Sequence, residues 1–144
     1  MTTTTWQLFS SDTTDSRIVN KEIRDLIKHY MGEDARLFDV AAGEAVLNSV
    51  TYPPDTAVAS VGVHIRLTRQ EGKLTLRIRD PGPGFDYKPR LCALKQSKEE
   101  TIVAGLHEEG GRGILLMYEC SDRLFFNRDG NDVLLVKHCP SEND

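Results

Sequence analysis

The chain lacks the means to build a cross-linked or zinc-bound scaffold. Its only cysteines are Cys92, Cys120 and Cys139, odd in number and without CxxC spacing, which predicts reduced thiols. It has no apolar run near the roughly 20 residues that a membrane helix needs. Its start, Met1-Thr2-Thr3-Thr4-Thr5-Trp6, has neither the basic residues nor the apolar stretch of a signal peptide, so the expected location is the cytoplasm, away from membranes. Positive charge is not in excess: 18 Lys and Arg stand against 22 Asp and Glu, a formal net charge of −4. That balance supplies no basic field for a phosphate backbone, and nucleic acid is not an expected partner. Repeats, linkers and low-complexity tracts are missing too, apart from the threonine-rich start. What remains, 144 residues with 39% hydrophobic and 28% charged, is the composition of one globular domain spanning 1–144.

Periodicity divides the chain into helical and strand regions. Trp6 to Phe9 reads as a short opening strand, closed by Ser10-Ser11-Asp12, a turn and N-cap cluster. Ile18, Val19, Glu22, Ile23, Leu26, Ile27, Tyr30 and Met31 place apolar residues at helical spacing with one interruption, and Gly32 is placed to end that helix. A second helix is expected from about Ala35 to Ser49, with Phe38, Ala41, Ala42, Ala45 and Val46 apolar, and Pro53-Pro54 forbids its continuation. From Val61 the period changes to two. Val61, Val63, Ile65 and Leu67 alternate, Glu71-Gly72 supplies a hairpin turn, and Leu74, Leu76 and Ile78 alternate again. Residues 86 to 109 are polar and mixed in charge and read as a loop or lid. Ile114 to Cys120 predicts a short buried helix. Leu124-Phe125-Phe126 and Val133 to Val136, joined through Asp129-Gly130, predict a closing hairpin. The tail 140–144 is expected to be flexible. Helices and antiparallel strands in segregated runs point to an α+β two-layer sandwich with a mostly antiparallel sheet.

Three features stand out against this frame. Glu44 and Asn48 are four apart, one above the other on a helical face roughly 6 Å apart along the axis. They are either an exposed polar pair or a general base with a neutral oxygen ligand for Mg²⁺. Asp80 shares the parity of Leu74, Leu76 and Ile78 and so points toward the buried side. It either caps the Pro81-Gly82-Pro83-Gly84 turn or accepts from a ligand such as an adenine amine, with Gly82 and Gly84 permitting close approach of a flat ring or sugar. Gly110-Gly111-Arg112-Gly113 precedes an apolar helix, as a simple turn or as a phosphate cradle of free backbone N–H groups. It lacks the Gly-Lys-Ser/Thr ending of a P-loop, and no Rossmann strand leads into it.

Glu44-Ala45-Val46-Leu47-Asn48, then Asp80-Pro81-Gly82-Pro83-Gly84-Phe85, then Gly111-Arg112-Gly113-Ile114-Leu115-Leu116-Met117, taken in that order, resemble the GHKL ATPase superfamily. The short chain and the E-A-V-x-N form are most similar to bacterial anti-sigma-factor serine/threonine kinases of partner-switching modules. The resemblance runs from Trp6 to about Lys137 and implies an ATP site between helices and sheet. It implies Glu44 as general base, Asn48 as ligand of Mg²⁺ and Asp80 as acceptor of the adenine amine. Gly82 and Gly84 would lie beneath the nucleotide, Gly111 and Gly113 at its phosphates, and Arg112 near phosphate or partner. The implied activity is ATP-dependent phosphorylation of an anti-sigma-factor antagonist together with sequestration of a sigma factor, and it allows a homodimer. The alternative is an ATP-binding regulatory adaptor without kinase turnover. A detached histidine-kinase ATP domain is disfavoured, since no phospho-acceptor helix precedes it. Where family members commonly follow the Asn with a small residue and a His-Gly pair, this chain has Ser49-Val50-Thr51-Tyr52-Pro53.

Overall fold

A computed structural model describes residues 1–96 and 111–139. Strand β1 (Thr2–Leu8) leads into α1 (Thr13–Met31), a single 3₁₀ turn, α2 (Ala35–Thr51) and the short α3 (Asp55–Ser60). The hairpin β2 (Val63–Gln70) and β3 (Lys73–Arg79) follows, then α4 (Lys88–Lys95), α5 (Gly111–Glu119), β4 (Arg123–Phe126) and β5 (Asp132–His138). Among the described residues five strands form one sheet in the order β1-β2-β3-β5-β4, every neighbouring pair antiparallel. One face of the sheet packs against the helices. The fold is the α+β two-layer arrangement read from the sequence.

Local chemistry accounts for the boundaries. The Asp12 side chain accepts from the Thr14 N–H at 2.8 Å, an N-cap that satisfies one orphan donor of α1. Gly32, at φ +64°, closes the same helix. Val19, Ile23, Ile27 and Met31 form the buried stripe of α1, whereas Ile18 is exposed. In α2 the alanines at 41, 42 and 45 let the helix lie close to its neighbours, with Phe38 and Val46 fully buried among them. At the β2–β3 turn Glu71 and Gly72 both have positive φ, 48° and 77°, matching the twist of the two-residue hairpin that joins these strands.

Several expectations need correction. The opening strand is Thr2–Leu8 rather than Trp6 to Phe9: the threonines pair along β2, and β-branched side chains suit that ladder. Val61 is not on a strand; it follows α3 and is exposed. Pro53-Pro54 ends α2 as expected, and α3, which the sequence did not reveal, starts directly after Pro54, whose fixed φ suits the residue just before it. Residues 88–95 of the expected lid form α4, because Leu91 and Leu94, one turn apart, reach the core together with Tyr87. The rest of that lid and the tail 140–144 lie outside the described residues. Gly110 of the glycine cluster lies there as well.

Neighbouring residues test the phase of α2. Phe38→Ala should cost about 3–5 kcal/mol of stability, as a fully buried aromatic does when truncated. Leu37→Ala, on the exposed side, should stay within about 0.5 kcal/mol. Urea unfolding of the two variants measures both, and equal losses would contradict this packing.

Candidate functional site

The end of β3 enters a cleft between sheet and helices. Its walls come from α2 (Ala45, Asn48, Ser49), the segment after α2 (Tyr52, Pro53), the loop Asp80–Phe85, Met117 of α5, and the β4–β5 turn. Asp80 arrives there by parity, two residues beyond the buried Ile78. Its Oδ1 accepts from the Gly82 N–H at 2.8 Å. Its carboxyl is nevertheless pushed up to about 6, chiefly because burial penalises the charge, and Asp132 nearby adds to the rise against the opposing Gly82 hydrogen bond. Asp80 is thus both a turn residue and an under-satisfied acceptor aimed into the cleft.

The loop is stapled to the β4–β5 turn. Asn127 Oδ1 accepts from the N–H groups of Gly130, Asn131 and Asp132, and its Nδ2 donates to Asn131 Oδ1. Asn131 in turn donates from Nδ2 to the Gly82 carbonyl at 3.0 Å, while its own carbonyl receives the Asp80 N–H at 2.9 Å. The glycines of the loop answer to these close approaches. A Cβ on Gly82 would sit 2.8 Å from Pro53 Cβ. At Gly84, with φ +84°, a Cβ would collide with the Asp129 carbonyl. Both line the cleft, yet what each makes room for is protein backbone or proline rather than empty space beneath a ring.

Asn48 faces α5. A Cβ on Gly113 would lie 3.0 Å from Asn48 Nδ2 and 3.3 Å from Oδ1, so the glycine lets the first turn of α5 approach the carboxamide. Asn48 Nδ2 is buried without a hydrogen-bond partner among the described residues, a state that costs roughly 1–3 kcal/mol. Turning the carboxamide over exchanges nitrogen for oxygen at the same spot. The position therefore suits a hard cation that keeps most of its water, such as Mg²⁺, with one neutral protein oxygen. No cluster of three or more His, Cys, Asp or Glu exists among the described residues.

The remaining expected residues are placed as follows. Glu44 is half-buried one helical turn before Asn48 and is not among the residues lining the cleft. Gly111 begins α5 and Arg112 is exposed beside it. Asn48, Asp80, Gly82 and Gly84 are brought together, with Gly113 against Asn48. Aromatic residues that the sequence reading passed over complete the site. Tyr52 and Phe85 stack with centroids 5.4 Å apart and planes 10° apart, and Phe85 meets Phe126 edge-on at 5.8 Å. The free volume left between these walls is about 30 Å³, room for about one water. The signal was present in the Tyr that replaces the expected His-Gly and in the Phe directly after Gly84.

Against known families, the chain matches the model described as a histidine kinase-like ATPase domain over residues 9–137. No curated protein matches it. Among the described residues no helix is long and apolar enough to cross a membrane.

Asp80 gives a stability test. Its folded-state affinity for a proton is raised, so its stabilising share is present in full below about pH 4 and is lost as pH climbs through about 6. Asp80→Asn, which keeps an acceptor but never ionises, should melt higher than the parent protein at pH 8 and at the same temperature below about pH 4. A melting difference that is constant over this range would remove the buried-acid assignment.

Proposed function

The chain belongs to the histidine kinase-like ATPase family, and from that premise we propose that it is an ATP-dependent serine/threonine kinase acting as an anti-sigma factor. Its partners in this reading are a sigma factor and an anti-sigma-factor antagonist, the latter receiving the phosphoryl group. The observation that carries the nucleotide site is the convergence of Asp80 and Asn48 on one cleft, with the buried Asn48 Nδ2 lacking a hydrogen-bond partner among the described residues and Gly113 of α5 lying against that carboxamide. Ionised Asp80 accepts from the exocyclic amine of adenine, where guanine presents a carbonyl oxygen. Tyr52 and Phe85 offer aromatic faces to the base. The N–H groups at the start of α5 face phosphate oxygens, with the positive end of the helix dipole behind them. Asn48 would hold Mg²⁺, which when bound neutralises phosphate charge. Glu44 takes the proton of the attacking Ser or Thr hydroxyl as its oxygen bonds to the γ-phosphorus and ADP leaves.

A second reading has an observation in its favour. Glu44 stands outside the cleft wall, which suits an adaptor that binds nucleotide without transferring phosphate. Incubation with γ-labelled ATP, Mg²⁺ and a small antagonist protein separates the two. Glu44→Gln should lower labelling by roughly 10²–10⁴-fold with ATP affinity nearly unchanged. ATP binding by the parent protein with no labelled partner favours the adaptor. Separately, Asp80→Asn should weaken ATP binding by roughly 1–3 kcal/mol in calorimetry, and equal affinity for ATP and GTP in the parent would sink the adenine assignment.

A further inference from the structure

The sheet has a second face, and its chemistry is unlike that of the chain as a whole. Outward positions alternate with the buried ones along every strand, and none of the outward side chains is buried. Arg66 of β2, Lys73, Arg77 and Arg79 of β3 and Arg123 of β4 all stand on this face, and among the described residues of the strands Asp132 of β5 is its only carboxylate. Asp132 is held by Arg77 at 2.7 Å and lies 3.7 Å from Arg79. Arg66, Lys73 and Arg123 form no ion pair with a described residue. A molecule with net charge −4 therefore concentrates cations on one open surface.

The surface is not uniformly polar. Phe125, 48% exposed, stands opposite Leu134, with Val136 next along β5. Two hollows of about 440 and 680 Å³ indent the face, and Arg66 lines both. The larger also contains Lys73, Arg123 and all three apolar residues. An apolar centre flanked by cations is the anatomy of a protein interface, and the sign of the flanking charge selects the partner. Two copies of this face would set cations against cations, which disfavours self-association. One exposed aromatic without a stacking neighbour is a poor platform for successive bases.

We propose that this open sheet face docks an acidic segment of a partner protein, its carboxylates over Arg66, Lys73 and Arg123 and an apolar side chain against Phe125, Leu134 and Val136. The inference goes beyond the nucleotide reading and does not depend on it.

Fluorescence anisotropy tests it with a labelled short peptide in which glutamates alternate with threonines around a central leucine pair. The parent protein should bind this peptide with an affinity that falls as salt rises, and the glutamine version of the peptide should bind at least tenfold more weakly. The double change Arg66→Glu and Arg123→Glu should weaken binding at least tenfold. Arg66→Gln with Arg123→Gln gives a smaller loss in the same direction and serves if the reversed pair does not fold. Arg17→Glu with Arg36→Glu, the same charge change on exposed positions of α1 and α2, should leave peptide binding within twofold. The proposal is overturned by no binding to the parent, by undiminished binding to the Arg66/Arg123 variants, or by an equal loss in the helix control. A single-stranded oligonucleotide of matching charge binding more tightly than the peptide overturns it too, as does a dimer in sedimentation that the reversed pair dissolves. ATP affinity is measured in parallel on the Arg66/Arg123 variants and should be unchanged, so failure here and failure of the nucleotide site are read separately.

Discussion

The cleft depends on one crossing of the chain, where the loop after β3 passes the β4–β5 turn. Gly84 runs so close to the Asp129 carbonyl that no side chain fits, and a Cβ on Gly130 would likewise collide with the Phe85 carbonyl. Each strand of the crossing is thus a glycine against another residue's backbone. Asn127 and Asn131 hold it together by satisfying N–H and C=O groups that would otherwise be stranded where the ladder ends. Tyr87 adds a hydrogen bond from its hydroxyl to the Asn127 carbonyl at 2.8 Å and stacks on Phe126. With this crossing in place, Asp80, Gly82 and Phe85 are positioned against α2; without it they would belong to an unpinned loop.

Burying Asp80 has a cost that the core does not ask for. Its one strong partner is a neighbouring N–H, and Asp132 adds a like charge. Folding alone would be better served by a neutral residue. An acid held in this condition is poised for a donor from outside, and the buried Asn48 Nδ2, without a hydrogen-bond partner among the described residues, is the same kind of anomaly on the opposite wall. Two under-satisfied polar groups facing one cleft are better explained by a ligand than by packing.

Period-two alternation in 63–78 and the Asp-Gly turn made the two hairpins legible in the sequence, because half-buried antiparallel strands sort their residues by parity. The stripe of α1 was equally plain. Helix α4 was not, since Leu91 and Leu94 are too few to mark a period and its stability comes from contact with α5 and the core. The opening strand was legible only in its last residues, and its start at Thr2 was not, for a related reason: most of its side chains are polar, and what fixes it is the ladder to β2 and the Trp6 indole donating to Glu22 at 2.7 Å. Of the site, Asp80 and Asn48 were visible as polar residues in apolar settings. The Tyr52–Phe85 stack was not, because its partners are 33 positions apart and meet only through the loop crossing.

One strand serves two surfaces. Leu74, Leu76 and Ile78 of β3 face the helices and lead to Asp80 in the cleft, while Lys73, Arg77 and Arg79 face outward. A slip of a single residue would exchange these sets, putting guanidinium groups into the core and leucines into water. The Glu71-Gly72 turn and the Arg77–Asp132 pair, whose members lie diagonally across β3 and β5, both hold the register that prevents this. Asp132 also reaches the cleft rim, where its charge acts on Asp80. The same carboxylate therefore pairs with Arg77 on the outer face and, after burial, adds to the rise of the acid on the inner one, so the electrostatics of the two surfaces are joined through the sheet that separates them.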